Sequence, residues 1–422
     1  MFAHVRWSRR AFVLIGIAMM ALAMITLPDW QNTLRDGLQR AAFIAAFFTA
    51  TASIRSAASG SASITECGNF LANQPPGRRY LALTLGGHLF GLILSYGAIS
   101  LLSTLATNST SSEPDPEIRR HRTRRMLVAI QRGFISALPW TPLGFAMAIS
   151  TILVPGARWI DALLPCLVSA FIMVISGWAL DTIFKPKLST PPPRRDKIDN
   201  NWLQQLRPLL ILLSLLVVLS TALHALTGVR TVGIMMSVVP AIALVWAAIQ
   251  ATDLSLGERA LHSAQRATTF ATVELPALRS ELVLLTMAGF IGAVGADLFA
   301  PVVSASGIDL SQAPAIIVLL SVFWLIPIAG QLGMNPILAV SLFAPLLPTP
   351  IELGISPTAM IVTITGGWAV AGATSPFTAS TLLMANFGGV SGRYAGLVWN
   401  GGYAVVSGGL LSGWIWVVSV WG

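Results

Sequence analysis

The chain has 422 residues, of which 55% are hydrophobic and only 10% are charged, whereas soluble domains carry about 25% charged residues. Apolar runs of about 20 residues recur, and a mean hydropathy of +0.74 excludes an ordinary soluble protein. The net charge is +9, and the basic residues lie in short loops between the apolar runs. This distribution indicates membrane topology and not a nucleic-acid site. The composition predicts an all-α polytopic membrane protein whose partners are the lipid bilayer and a small molecule or ion, with no nucleic acid.

The first half is predicted to contain five apolar segments, one of them a hairpin. They cover residues 11–28, 41–54, 80–106, 126–155 and 160–184. The segment 80–106 has arginines on both sides, so both of its ends belong on one side of the membrane. It is too short for two spans of roughly 20 residues each, and we predict a re-entrant helical hairpin with its tip near 95–97. The segment 126–155 is interrupted by Thr141 and Pro142, which predicts a broken helix.

A basic, proline-rich segment divides the chain almost in half. Residues 185–207 hold three consecutive prolines among lysines and arginines, which predicts an extended cytoplasmic linker. We expect a first transmembrane repeat over 1–184 and a connecting helix over 208–229. The second repeat is expected over 230–422, with its own hairpin near 312–345 and a proline-broken helix after it.

The positions of lysine and arginine orient these segments. Arg6, Arg9 and Arg10 precede the first apolar run, which places the N-terminus in the cytoplasm of a bacterial-type inner membrane. A signal peptide is the alternative, but no small-residue cleavage site follows, so we expect an uncleaved first helix. Counting spans from there gives the two halves opposite orientations, which predicts an inverted repeat.

The spacing of the two halves supports this repeat. The hairpin tip and the helix-breaking proline are 45 positions apart in the first half, Gly97 to Pro142, and 43 apart in the second, Gly333 to Pro376. Paired broken helices in inverted repeats point to a binding site near the middle of the membrane.

Two hairpins with polar tips, each followed by a helix broken at Thr141-Pro142 or Ser375-Pro376, give the chain its resemblance to a known group. It resembles the ion transporter superfamily, which includes divalent-anion/sodium symporters and the arsenite and sodium/proton antiporter-like families. The tips read differently from the Ser-Asn-Thr of those symporters. The resemblance implies scaffold domains that form a homodimer and transport domains that move as an elevator.

The predicted binding residues are hydroxyl, amide, glycine and proline residues at the tips and breaks. They are Ser95, Gly97, Ser100, Thr141, Pro142, Gln331, Gly333, Asn335, Pro336, Thr374, Ser375, Pro376 and Thr378. A proline frees the carbonyl four residues before it, and freed carbonyls with hydroxyls suit Na⁺ or a carboxylate. The alternatives are a plain proline kink with back-bonded hydroxyls and amides that only join helices.

Two ionisable residues within apolar segments are candidates for ion coupling. Asp297 could carry a proton or pair with a cation, or it could be solvated at the end of its span. His88 could shuttle protons or be a structural histidine. Cys67 and Cys166 have no metal or redox spacing, and we predict no metal site and no cofactor beyond a coupling Na⁺.

These features predict a secondary active transporter of a small, carboxylate-like anionic solute, coupled to Na⁺ or H⁺. One alternative is a proton-coupled efflux antiporter for Na⁺ or an oxyanion such as arsenite. A second is a membrane-embedded enzyme or assembly factor. The sequence has no metalloprotease, serine-hydrolase or nucleotide-binding motif, so we predict that the chain is not an enzyme.

Overall fold

The computed structural model describes residues 7–75, 77–185, 202–250, 255–307 and 309–421. Over these ranges the chain forms helices and no strand. Six helices there are long and apolar enough to cross a membrane: Trp30–Ser59, Trp159–Ile183, Trp202–Thr227, Thr231–Gln250, Arg279–Ala305 and Gly401–Trp421. The predicted class, an all-α polytopic membrane protein, is confirmed.

Eighteen α-helices follow one another along the described residues. In the first half they are α1 (Trp7–Thr26), α2 (Trp30–Ser59), α3 (Ala62–Ala72), α4 (Arg79–Leu94), α5 (Tyr96–Ser111), α6 (Pro116–Ala137), α7 (Phe145–Leu153) and α8 (Trp159–Ile183). In the second half they are α9 (Trp202–Thr227), α10 (Thr231–Gln250), α11 (Leu256–Thr269), α12 (Leu275–Ala277), α13 (Arg279–Ala305), α14 (Ala315–Gln331), α15 (Pro336–Phe343), α16 (Pro357–Thr374), α17 (Ala379–Gly388) and α18 (Gly401–Trp421). Two π-helical segments, Phe270–Glu274 and Tyr394–Trp399, precede α12 and α18.

The first predicted hairpin is α4 and α5, which pack against each other and are separated only by Ser95. Ser95 reverses the chain with φ 49°, and it is the one non-glycine residue with positive φ among those described. α4 also packs along α6. A Cβ at Gly87 would overlap the carbonyl oxygen of Ile130, and one at Gly133 would overlap that of Thr84. The two glycines therefore let the backbones of α4 and α6 touch.

The second predicted hairpin is α14 and α15. Gly333, with φ 92°, turns the chain between them, and the side-chain oxygen of Asn335 caps α15 by accepting the N–H of Ile337 at 2.8 Å. Pro336 occupies the first turn of α15, where a missing N–H carries no penalty. α14 packs along α16, as α4 does along α6.

Both predicted breaks are present. The α6–α7 break spans residues 138–144 and contains Thr141-Pro142, and the α16–α17 break spans 375–378 and begins with Ser375-Pro376. Hairpin followed by broken helix thus occurs twice. The inverted relation of the copies and the repeat boundaries stay predictions.

The predicted linker, 185–207, lies for the most part outside the described residues. Its last part differs from the prediction, because α9 already begins at Trp202. The apolar run that starts at 208 extends toward the N-terminus through polar residues that still favour a helix.

The arginine-rich segment before residue 126 is helical as well. Asp115 caps α6 by accepting the N–H groups of Glu117 and Ile118. α6 thereby carries its arginines on the same helix that later breaks at Pro142.

Candidate functional site

The α16–α17 break is joined to the second hairpin by one buried side chain. Ser375 is fully buried, and its Oγ donates a hydrogen bond of 2.6 Å to the carbonyl oxygen of Gly330, near the end of α14. A Cβ at Gly330 would lie 3.2 Å from the Cβ of Ser375, so the glycine permits this approach. The ring of Phe377 lies against the tip at Gly333. The hairpin tip and the break of the second copy therefore meet.

The carbonyl that Pro376 frees is that of Gly372, and side chains satisfy it. Ser380 Oγ donates to it at 2.6 Å, Gln131 Nε2 at 3.2 Å and Thr381 Oγ1 at 3.3 Å. Three donors on one carbonyl hold the break in a fixed shape. In this arrangement the hydroxyls point at the backbone, as in the proline-kink alternative.

The other hydroxyls of this break bond locally. Thr374 Oγ1 donates to the carbonyl of Val370 at 2.9 Å, one turn earlier, and Thr378 Oγ1 donates to the carbonyl of Ser375 at 2.9 Å.

The α6–α7 break is connected to α4 and not to the tip of its hairpin. Thr141 is buried, and its Oγ1 accepts the N–H of Leu143 at 3.3 Å. The neighbouring Trp140 Nε1 donates to His88 Nε2 at 3.1 Å. Ser95 lies at the turn after α4, and Gly97 and Ser100 lie on α5, where Gly97 approaches the side chain of Arg55.

His88 has the bonding of a neutral imidazole. An indole N–H can only donate, so Nε2 must accept from Trp140. Ser136 Oγ is 2.8 Å from Nδ1 and donates its own hydrogen to the carbonyl of Gly133 at 2.7 Å, so it accepts from Nδ1–H. Both nitrogens are satisfied, which favours the structural role over the proton shuttle.

The side chain of Asp297 is hydrogen-bonded to a residue outside both breaks. It is on α13, its side chain is exposed, and Oδ2 accepts a hydrogen bond of 2.6 Å from Thr33 on α2. Its role in coupling stays a prediction. Over the described ranges, no three His, Cys, Asp or Glu side chains are grouped as metal ligands.

The two copies meet through helices. α5, the second arm of the first hairpin, packs on α17 beyond the second break, and α15, the second arm of the second hairpin, packs on α7 beyond the first break. Within the described part of the chain, no side-chain hydrogen bond joins the predicted residues of one copy to those of the other.

A polar network that the predicted residues do not include connects the copies instead. Arg132 on α6 is 7% exposed. Its Nε donates to Asn400 Oδ1 at 3.0 Å, its Nη1 to the hydroxyl of Tyr80 at 3.2 Å, and its Nη2 to the carbonyl of Trp399 at 3.1 Å. Asn400 Nδ2 donates to Gln131 Oε1 at 2.8 Å. Gln131 in turn reaches Gly372, so the network ends at the α16–α17 break.

The sequence does carry a signal for these residues. Gln131 and Arg132 stand side by side inside the apolar segment 126–155, and an ionisable residue within such a segment is a functional hypothesis by default. Asn400 carries no comparable signal, because it lies at the start of an apolar helix where amides are common.

The fold is that of two transporters of known structure. The Alcanivorax borkumensis YdaH transporter, described as having an unusual topology, is 15% identical with a TM-score of 0.61, over 99% of this chain and 98% of that one. Neisseria gonorrhoeae MtrF, described as illuminating a class of antimetabolite efflux pumps, is 13% identical with a TM-score of 0.54, over 98% and 96%. Fold and breaks together define an all-α polytopic membrane protein that shares its fold with these two transporters.

No protein-family model matches the chain, and no curated relative matches it. The resemblance to the ion transporter superfamily stays a prediction.

Proposed function

We propose that the chain is a secondary active transporter of a small anionic, carboxylate-like solute, coupled to Na⁺ or H⁺. The observation that carries the proposal is the junction of Ser375 with Gly330, where a broken helix meets a hairpin tip. Unwound backbone in a membrane protein is tolerated where it is buried in protein or lines a cavity, and transporters use it to bind substrate.

The packing of the copies supports alternating access. Each hairpin packs along the helix that breaks after it and sends its second arm to the broken helix of the other copy. An elevator-type movement of this unit within a homodimer in the inner membrane, with a cytoplasmic N-terminus, belongs to the proposal. The positive-inside pattern supports the cytoplasmic N-terminus, and the fold shared with two transporters supports a transport movement.

An anionic solute is favoured by a positive charge that the polar network connects to the α16–α17 break. Arg132 is buried with neutral hydrogen-bond partners, and Asn400 and Gln131 connect it to the carbonyl of Gly372. A buried positive charge that hydrogen bonds connect to the unwound backbone favours a negatively charged ligand.

Transport by proteoliposomes tests the proposal. Uptake of labelled dicarboxylates and aromatic carboxylates is measured with Na⁺ and H⁺ gradients imposed separately. We expect uptake of at least one solute that depends on one gradient, and Ser375→Ala to reduce it more than tenfold. Ser412→Ala is the matched control, because Ser412 Oγ also donates to a carbonyl, that of Gly408 at 2.8 Å, but within its own helix. Uptake that depends on neither gradient, for every solute tested, would contradict the proposal.

Proton-coupled efflux is the second candidate, favoured by the shared fold with MtrF. Asp297 is the membrane-segment carboxylate available to it, with Thr33 as hydrogen-bond donor. In this version Asp297→Asn abolishes the pH dependence of export, whereas Thr33→Val only weakens it. An unchanged pH profile in Asp297→Asn removes this candidate's proton carrier.

A further inference from the structure

A basic cavity lies beside the network, bordered by α6, α8, α18 and the π-helical segment Tyr394–Trp399. Its volume is about 360 Å³. Its lining combines aromatic and aliphatic side chains with five titratable ones: His121, Arg124, Arg125, Arg132 and Asp181. None of these residues is among the tip and break residues that the sequence predicts to bind substrate.

The basic residues of the cavity share one face of α6. His121, Arg124, Arg125 and Arg132 are spaced at three, four and eleven positions from the first, which places them on one side of an α-helix. Arg124 and Arg132 are eight positions apart, or about 12 Å along the axis. The cavity therefore runs from an exposed arginine at its mouth to a buried one at its inner end.

The charges in the cavity do not balance. Asp181 accepts two hydrogen bonds from Arg125, at 2.8 Å to Oδ1 and 2.6 Å to Oδ2, so both of its oxygens are occupied by one guanidinium. Among the described residues no carboxylate lies within 4.0 Å of the side-chain nitrogens of Arg124 or Arg132. Three arginines and one aspartate leave a surplus of two positive charges.

Arg132 is held in position without being neutralised. A phenol, an amide and a backbone carbonyl accept its hydrogens, and its guanidinium lies 4.5 Å from the centre of the Tyr403 ring. Neutral partners orient a guanidinium but leave its charge, and a buried uncompensated charge is unfavourable. An anion in the cavity would supply the missing charge in a pocket that is already formed.

We propose that this cavity binds the phosphate or carboxylate group of an anionic molecule, held by Arg124 and Arg132 with Arg125 and His121 beside it. Guanidinium groups bind such oxyanions through charge-assisted hydrogen bonds. The same chemistry is offered by a free solute anion and by the headgroup of an anionic lipid. Binding here does not depend on transport, so it can hold or fail independently of the proposed function.

Binding to the purified full-length protein in an uncharged detergent tests the proposal. Inorganic phosphate and succinate are titrated by calorimetry, and phosphatidylglycerol is compared with phosphatidylcholine by native mass spectrometry. We expect saturable binding of at least one anionic probe that weakens with added salt. Soluble anions alone indicate a solute site, and phosphatidylglycerol alone indicates a headgroup site.

Arg124→Gln is the main variant, because Arg124 is exposed and its loss leaves the network intact. We expect it to weaken binding about tenfold, the effect of one charge-assisted hydrogen bond. Arg120→Gln removes an exposed arginine of the same helix that does not line the cavity, and it should bind as the unmodified chain does. Arg132→Lys keeps the charge but not the planar fork and should also weaken binding. No binding by any probe, or equal binding by all variants, overturns the proposal.

Discussion

Arg132 Nε donates to Asn400 Oδ1 at 3.0 Å across 268 residues of chain. This bond joins a helix of the first half, just before its break, to the start of the last helix. Because both groups are buried, either one left without its partner is unfavourable.

Asn400→Ala should therefore destabilise the protein by about 1–3 kcal/mol, because it leaves hydrogen-bonding groups of Arg132 and Gln131 without partners in the interior. The measurement is the unfolding midpoint in detergent. Asn386→Ala is the matched control, since Asn386 is exposed, and we expect a change within about 0.5 kcal/mol. Equal effects of the two substitutions would show that the network contributes little.

Gly133→Ala should prevent α4 and α6 from packing, because the added methyl group would overlap the carbonyl of Thr84. We expect a loss of several kcal/mol or failure to accumulate in the membrane, read from expression and size-exclusion profiles. Gly409→Ala places the same methyl group in open space on α18 and should be tolerated. A well-folded Gly133→Ala protein would mean that the two helices are not in backbone contact.

Ser95→Gly should stabilise the first hairpin. Ser95 adopts φ 49° and ψ −132°, a conformation that is open to glycine but strained for other residues by about 1–3 kcal/mol. The same substitution at Ser100, inside α5, should have the opposite sign and cost about 0.5–1 kcal/mol. Thermal unfolding of both variants compares the two directly, and a destabilised Ser95→Gly protein would contradict the strained turn.

His88 should stay neutral between pH 5 and pH 8. Protonation at Nε2 would break the hydrogen bond from Trp140 and place a charge in a buried pocket. Nitrogen NMR of histidine-labelled protein should show a His88 signal that does not move with pH. Trp140→Phe removes the donor, and there the His88 signal should begin to titrate. A shift of the His88 signal in the unmodified protein would restore the proton-shuttle role.

The elements that could be predicted from the sequence are those with a strong local cause. Pro142 and Pro376 predict the two breaks, and the short length of the segment 80–106 predicts the hairpin whose turn is Ser95. The sequence predicts that α9 begins at 208 and not at Trp202, because polar residues at the start of an apolar helix give no local boundary.

The bonding of the site could not be predicted from the sequence to the same degree. Ser375 is among the predicted residues, but its acceptor, the carbonyl of Gly330, is 45 residues away in another helix. Gln131 and Arg132 are not among the predicted residues, because the prediction is confined to the hairpin tips and the helix breaks. Except for Tyr80, the partners of these two residues are more than 200 residues distant, and no local pattern encodes such pairs.

The glycines at the interface of α4 and α6 limit how far these two helices can move relative to each other. Backbones in direct contact interlock at atomic scale, and shifting them would force carbonyl groups past Cα atoms. The matching pair in the second half is α16 against α14, where a Cβ at Gly367 would lie 2.6 Å from the carbonyl oxygen of Phe323. Each hairpin should therefore move together with the helix that breaks after it. Any large movement between helices should take place at interfaces that consist of side chains.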